Sequence, residues 1–213
     1  MEVVTEKLTI KQPKVELFNM DNMELMARYP DKHFNLAIVD PPYGVGLNVG
    51  RNNQDLTKGW DDAIPPKEYF NELFRVSKNY IIWGGNYFSH LIPAARCFIY
   101  WDKPNIEHLP TMADGELALT SFSSNAKKYS VTSALHDGKR FHPTQKPVKL
   151  YEWLLINYAK EGDIILDTHL GSGSSAIAAY NYKFDFVGCE IDKEYFEKAK
   201  QRFEDYKSQL TLF

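Results

Sequence analysis

Ile164-Ile165-Leu166-Asp167-Thr168-His169-Leu170-Gly171-Ser172-Gly173-Ser174 is the stretch that decides the fold. Three apolar residues run into an acid, a loop with two glycines follows, and Ser174–Asn181 then has a helical pattern. Glycine at such a turn lets the backbone approach a ligand where a Cβ would collide. Downstream, Phe186-Val-Gly-Cys189 is a second apolar run that ends in Glu190. An acid at that distance is placed to accept both ribose hydroxyls of a nucleoside. The plainer alternative is a tight turn whose glycines only ease strand-to-helix packing. The strand before, the helix after and the acid beyond favour a nucleoside cofactor.

Working outward, short β-branched or aromatic runs alternate with helical patterns along the whole chain. Strands are predicted at Val15–Phe18, Leu36–Val39, Tyr80–Trp83, Cys97–Trp101, Leu117–Phe122, Ile164–Leu166 and Phe186–Cys189. Helices are predicted at Asn22–Tyr29, Lys67–Ser77, Val148–Ala159, Ser174–Asn181 and Lys193–Lys207. In the last, Phe196, Ala199, Phe203 and Tyr206 recur at three- and four-residue steps and make one apolar face. Such alternation implies a single α/β domain with a mainly parallel sheet, whose ligands collect beyond the carboxyl ends of the strands. Three strand-end loops stand out: Asp40–Gly44, Asp167–Ser174 and Glu190–Asp192. NAD would suit the glycine unit too. A dehydrogenase usually opens with its glycine strand, however, and here that strand follows five other strand candidates. S-Adenosylmethionine is the better match, with His169, Gly171, Ser172 and Gly173 in the loop and Asp192 just beyond Glu190.

Composition sets the outer limits. With 213 residues, 44% hydrophobic and 25% charged, the chain has the make-up of one soluble globular domain. No apolar run approaches the ~18 residues that a membrane span needs. Cys97 and Cys189 both fall in apolar runs, so a disulfide framework is not expected and a reducing cytoplasm is the default setting. A net charge of −3 argues mildly against a nucleic-acid partner. The 123–149 stretch softens that objection: it holds Lys127, Lys128, Lys139, Arg140, Lys146 and Lys149 against one acid, Asp137.

The strand Leu36–Val39 is followed directly by Asp40-Pro41-Pro42-Tyr43. Two prolines fix two φ angles and remove two N–H donors, leaving a rigid loop rich in hydrogen-bond acceptors. An exocyclic amine on a nucleobase is a poor nucleophile, because its lone pair is delocalised into the ring. If Asp40 and the Pro41 carbonyl each accept one N–H, the nitrogen is drawn toward tetrahedral geometry and its lone pair becomes available. Pro42 stiffens the loop and Tyr43 would stack on the base. A base inside a duplex must be flipped out to reach such a pocket.

Asp40–Tyr43 taken with Asp167–Ser174 resembles the amino-methyltransferases of DNA. The order, with Asp-Pro-Pro-Tyr before the glycine loop, is similar to their β group, a circular permutation of the usual Rossmann-like methyltransferase fold. His142-Pro-Thr144-Gln-Lys146-Pro147 resembles that group's segment near the methionine end of the cofactor. Val15-Glu-Leu-Phe-Asn-Met-Asp21 resembles its opening segment, with Asp21 near the cofactor's adenine amine. Trp101-Asp-Lys-Pro and Ala113-Asp-Gly-Glu-Leu-Ala are also similar to family text. The resemblance implies a seven-stranded, mostly parallel sheet with helices on both faces. The termini would fall together between the second and third strands of the unpermuted fold. It implies transfer of a methyl group from S-adenosylmethionine to adenine N6 in double-stranded DNA. N4 of cytosine is the alternative, and Asp rather than Ser at position 40 leans toward adenine. Thr168 and His169 stand where the family usually has proline and an aromatic residue.

Within this family reading, Lys127, Lys128, Lys139 and Arg140 are expected to face the DNA backbone. Residues 44–66 and 102–141 would form a small recognition region, with Arg51, Asn52 and Asn53 suited to base edges. Such a small reader is compatible with a homodimer or a partner. The terminal Gln209-Leu210-Thr-Leu212-Phe213 resembles the peptide by which bacterial proteins grip the DNA-polymerase sliding clamp.

Overall fold

The computed structural model describes residues 12–46, 61–104, 113–132 and 140–210. In chain order it contains β1 (Val15–Asn19), α1 (Asn22–Met26), β2 (Phe34–Val39), α2 (Lys67–Val76), β3 (Ser77–Trp83) and β4 (Phe98–Asp102). There follow β5 (Gly115–Thr120), β6 (Lys127–Ser130), α3 (Val148–Tyr158), β7 (Ile164–Asp167), α4 (Ser174–Asn181), β8 (Asp185–Glu190) and α5 (Lys193–Leu210). All strands join one sheet in the order β1-β8-β7-β2-β3-β5-β4-β6. Among the described strands only β5 runs against the others, pairing antiparallel with both β3 and β4. The strand nearest the N-terminus lies beside the one that feeds the last helix. The late glycine strand β7 sits in the middle, between β8 and β2. That is the circularly permuted order.

The sheet is buried on both faces, and one strand shows how. In β2, Leu36 and Ile38 pack into the cluster that holds Leu150, Leu154, Ile177 and Phe203 from α3, α4 and α5. Ala37 and Val39 point the other way, toward Leu25, Phe70 and Leu73 of α1 and α2. A side-chain period of two divides the strand between two cores. Helix α2 shows what holds the outer layer. Its N-cap Pro66 makes no side-chain hydrogen bond, yet Tyr69, Phe70, Leu73 and Val76 are buried along one face. Each such side chain contributes roughly 1.5–3 kcal/mol, so packing rather than capping keeps α2 in place.

Two expectations need correction. Among the described residues the sheet has eight strands, not seven, because Lys127–Ser130 pairs in parallel with β4 as an edge strand. Lys-Lys-Tyr-Ser carries no apolar alternation. It is anchored by Tyr129, whose ring stacks on Trp153 at 4.8 Å and 15°, while lysines on an outer edge discourage further pairing. Helix α1 stops at Met26 rather than Tyr29: the Arg28 and Tyr29 N–H groups turn to the carbonyls three residues back, Leu25 and Met26, and the Arg75 guanidinium donates to the Met26 and Tyr29 carbonyls. Gln209 and Leu210 end α5. The rest of the clamp-like peptide, including Leu212 and Phe213, lies outside the described residues, as do Arg51, Asn52, Asn53 and Lys139.

Candidate active site

Five parallel strands, β1, β8, β7, β2 and β3, end on one edge of the sheet, and a cavity of about 270 Å³ opens there. Its wall is built from Asp21 and Asn22 after β1, Asp40 and Pro42 after β2, His142 and Thr144–Lys146 before α3, Thr168–Ser172 after β7, and Glu190–Asp192 after β8. Thus the Asp40 loop, distant in sequence from Gly171 and Glu190, opens onto the same cavity as they do.

The glycine loop is shaped from behind. Asp167 is buried and accepts from the His169 N–H (3.0 Å) and the Ser175 hydroxyl (2.6 Å), which ties the loop to the first turn of α4. Burial pushes its carboxyl up to about 7, with those two hydrogen bonds only partly offsetting the rise. Asp167 and Gly173 stand behind the cavity wall, whereas His169, Gly171 and Ser172 line it. Gly171 takes φ +51°, and a Cβ there would lie 3.5 Å from the His142 ring. Its N–H donates to Glu190 Oε2 at 2.9 Å, and the Asp192 N–H donates to Glu190 Oε1 at 3.0 Å. Glu190 is therefore held rigidly, with carboxylate lone pairs left over for a ligand's hydroxyls. Asp21 caps α1 by accepting from Met23 and Glu24 (2.7 and 3.2 Å) and still faces the cavity.

His169 belongs to a buried chain of hydrogen bonds. Its Nε2 lies 3.2 Å from Asn22 Nδ2, its Nδ1 lies 3.0 Å from Thr168 Oγ1, and that hydroxyl is 2.7 Å from the Tyr69 hydroxyl. With the Asn22 amide assigned as donor, the ring proton sits on Nδ1 and points at Thr168. Burial brings the imidazole down to about 4, so it is neutral in that role. Both ring nitrogens are engaged in holding the loop. One acceptor on the wall is different: the buried Oε1 of Gln145 has no hydrogen-bond donor among the described residues. A buried carbonyl without a donor is costly, and it suits a ligand that brings an N–H or an ammonium group.

At the other end of the cavity, Asp40 is the centre of a charged cluster. The Tyr43 hydroxyl donates to its Oδ1 at 2.6 Å, and Lys146 Nζ donates to its Oδ2 at 2.5 Å. Lys146 also reaches Glu116 at 2.9 Å, and Lys103 pairs with Glu116 in turn. Lys146 thus lines the cavity while its ammonium serves Asp40, a placement the cofactor segment's family role does not convey. Asp61, which sequence reasoning missed, accepts from the Tyr43 and Gly44 N–H groups (2.7 and 3.2 Å) and pins the loop. The Tyr43 ring stacks on Tyr87 at 5.1 Å and 16°.

Gly84 makes that ring position available. It takes φ +67°, and a Cβ there would lie 2.2 Å from the edge of the Tyr43 ring. Gly84→Ala is expected to lower stability by about 1–3 kcal/mol through backbone strain and displacement of the ring. Urea unfolding measures the loss, and the near-ultraviolet spectrum reports whether the tyrosine stack is broken.

The basic residues assigned to DNA are placed less uniformly. Lys128 pairs with Asp102 (2.8 Å), and Lys127 donates to the Asn157 side chain (2.9 Å), both on the β6 edge. Arg140 donates to the carbonyls of His142 and Pro143 and so braces the cavity segment. None of the three lines the cavity.

The Type II methyltransferase M2.DpnII of Streptococcus pneumoniae is 25% identical, over 95% of this chain and 94% of its own length. The crystal structure of the M1.HpyAVI–SAM complex superposes with a TM-score of 0.63 at 21% identity, covering 88% of this chain and 98% of that one. The PvuII DNA methyltransferase, described as cytosine-N4-specific, gives 0.63 at 13% identity, covering 93% and 94%. At such identities the two structures speak for the fold alone. The DNA methylase model for N6 and N4 methyltransferases matches residues 82–201, more than half of the chain. With its permuted sheet and its strand-end cavity, the chain belongs to this DNA methylase family.

Proposed function

We propose that this chain transfers a methyl group from S-adenosylmethionine to the N6 amine of an adenine flipped out of duplex DNA. The observation that carries the reading is one cavity lined both by Glu190 at the end of β8 and by the Asp40 loop after β2, the two strands that flank β7. The wall fits this cofactor. Glu190 offers acceptors to ribose hydroxyls, Gly171 keeps the backbone bare, and Gln145 Oε1 awaits a donor such as an α-ammonium group. When bound, S-adenosylmethionine supplies an electrophilic sulfonium methyl.

The remaining work falls to the chain's own side chains. Asp40 accepts one amine N–H in the place that the Tyr43 hydroxyl now holds, and the Pro41 carbonyl accepts the other. Hydrogen bonds to an ionised acceptor are the stronger kind, and holding both reactants in line supplies much of the rate. Tyr43, relieved of Asp40, lends its ring to the base, with Tyr87 behind it. An acid at position 40 favours adenine on the family pattern, while N4 of cytosine needs the same two acceptors. The test is transfer from radiolabelled cofactor to unmethylated bacterial DNA, followed by nucleoside analysis. Label in N6-methyladenine is expected. Label in N4-methylcytosine would overturn the base, and no label in DNA of any sequence would overturn the reading.

A further inference from the structure

We propose that Glu116 is a positioning residue for Asp40: it shares the Lys146 ammonium with Asp40 and thereby sets the pH at which Asp40 is ionised to receive the amine. The inference rests on the methyl-transfer reading of Asp40. Glu116 is the second residue of β5, and β5 is the one strand that runs against the rest. Its beginning therefore reaches the edge where the parallel strands end. In register, Glu116 lies opposite Trp101, just before Lys103 on the neighbouring strand's exit. The topology thus delivers a carboxylate from behind to an edge otherwise furnished by strand C-termini.

The cluster alternates in sign, Asp40, Lys146, Glu116, Lys103, with contacts of 2.5 Å and 2.9 Å on either side of Lys146. The Lys146 side chain is only 3% exposed, so its charge is spent on these two carboxylates and on the Tyr43 hydroxyl at 3.3 Å. A cation serving Asp40 alone would hold it ionised at any working pH but draw its lone pairs away from the amine. A cation divided between two acids leaves Asp40 a stronger acceptor. The electrostatics agree in direction. Burial would raise the Glu116 carboxyl, but Lys146 and Lys103 outweigh it and bring it down to about 2. Burial raises Asp40, Lys146 only partly offsets this, and the Glu116 charge adds to the rise. Lys146 is lowered by burial and raised more by the two acids, so it stays protonated. The other groups that bear on Asp40 are Tyr43 on its own loop, Asp167 of β7, Tyr69 of α2 and Tyr151 of α3.

The decisive measurement is the carboxyl titration of Asp40 in the full chain by carbon-13 NMR, with the signal assigned through D40N. E116Q removes an anion and returns Lys146 wholly to Asp40, so the midpoint is expected to fall by about one pH unit. K146M removes the cation and is expected to raise it by about one unit. The acid limb of kcat/KM should move in the same two directions, while the cofactor's dissociation constant stays put in E116Q, since Glu116 does not line the cavity. If E116Q does not fold, E116D replaces it; its retracted carboxylate is expected to give a smaller downward shift. A midpoint that does not fall in E116Q, whatever K146M does, would reduce Glu116 to packing and overturn the inference. A wild-type chain that methylates no DNA amine would instead overturn the proposed function, and the NMR titration would still decide what Glu116 does.

Discussion

Asp40→Ala is expected to lower single-turnover methyl transfer by about 10²–10³-fold, the usual cost of deleting a preorganised group that stabilises charge in a transition state. The amine becomes partly cationic as its lone pair leaves the ring, and the Asp40 carboxylate is the anion placed to meet that charge. The loss is expected to fall on the chemical step. Glu190 and Gly171 hold the far side of the cavity through their own hydrogen bonds and make none with Asp40. Cofactor affinity measured by calorimetry should therefore change little. The fold is also expected to survive, because Lys146 keeps Glu116 as a partner at 2.9 Å. Asp40→Asn sharpens the experiment. It keeps one acceptor oxygen but no charge, so its rate is expected to lie between wild type and alanine. The activity of the wild type should fall as pH drops through the Asp40 titration, since a protonated carboxyl accepts poorly and burial raises its proton affinity. In Asp40→Asn that acid limb should vanish. An alanine variant with full activity would remove Asp40 from the chemistry.

How far the molecule was legible beforehand depends on the range of the interactions involved. The strand Leu36–Val39 and helix Ser174–Asn181 could be read because apolar periodicity and glycine placement are local. Asp40, Gly171 and Glu190 could be read as strand-end residues for the same reason, and the permuted strand order followed from motif order. Glu116 could not. Its partner Lys146 lies 30 residues on, and their contact exists only because β5 is inserted backwards between β3 and β4. Asp61 pins Tyr43 across a loop whose course no periodicity reveals. The edge strand β6 was hidden by its lysines, and those lysines illustrate a second limit. A run of basic residues tells the charge of a stretch but not the direction of each side chain, and Lys128, for one, is turned onto Asp102. His169 marks a third. Its sequence position makes it a loop residue on the cofactor's side, and it does line the cavity, but its two engaged nitrogens, which brace the loop where the family usually has an aromatic ring, depend on Asn22 and Tyr69 far away in sequence.

Glu190→Ala is expected to weaken S-adenosylmethionine binding by about 10²-fold or more. Each hydrogen bond to a charged acceptor is worth about 1.5–3 kcal/mol, and a carboxylate facing a ribose can accept two. At about 1.4 kcal/mol per factor of ten, two such bonds set that scale. The carboxylate has a second task, because it also accepts the Gly171 and Asp192 N–H groups and so joins the glycine loop to the end of β8. Its loss leaves both donors in a partly buried site and loosens the backbone over which the cofactor would lie. Glu190→Gln retains one carbonyl oxygen and is expected to lose less. Burial raises the Glu190 carboxyl, with the two backbone N–H bonds offsetting part of the rise. Protonation on acidification then replaces an acceptor with a donor, so wild-type affinity should weaken as pH falls, and the glutamine variant should show no such dependence from this position. Calorimetric titration at several pH values measures all three chains. In contrast to Asp40→Ala, the rate should return at saturating cofactor, with KM raised and kcat near that of wild type. Unchanged affinity in Glu190→Ala would place the ribose elsewhere on the wall, and the assignment of the cavity's two sides would have to be redrawn.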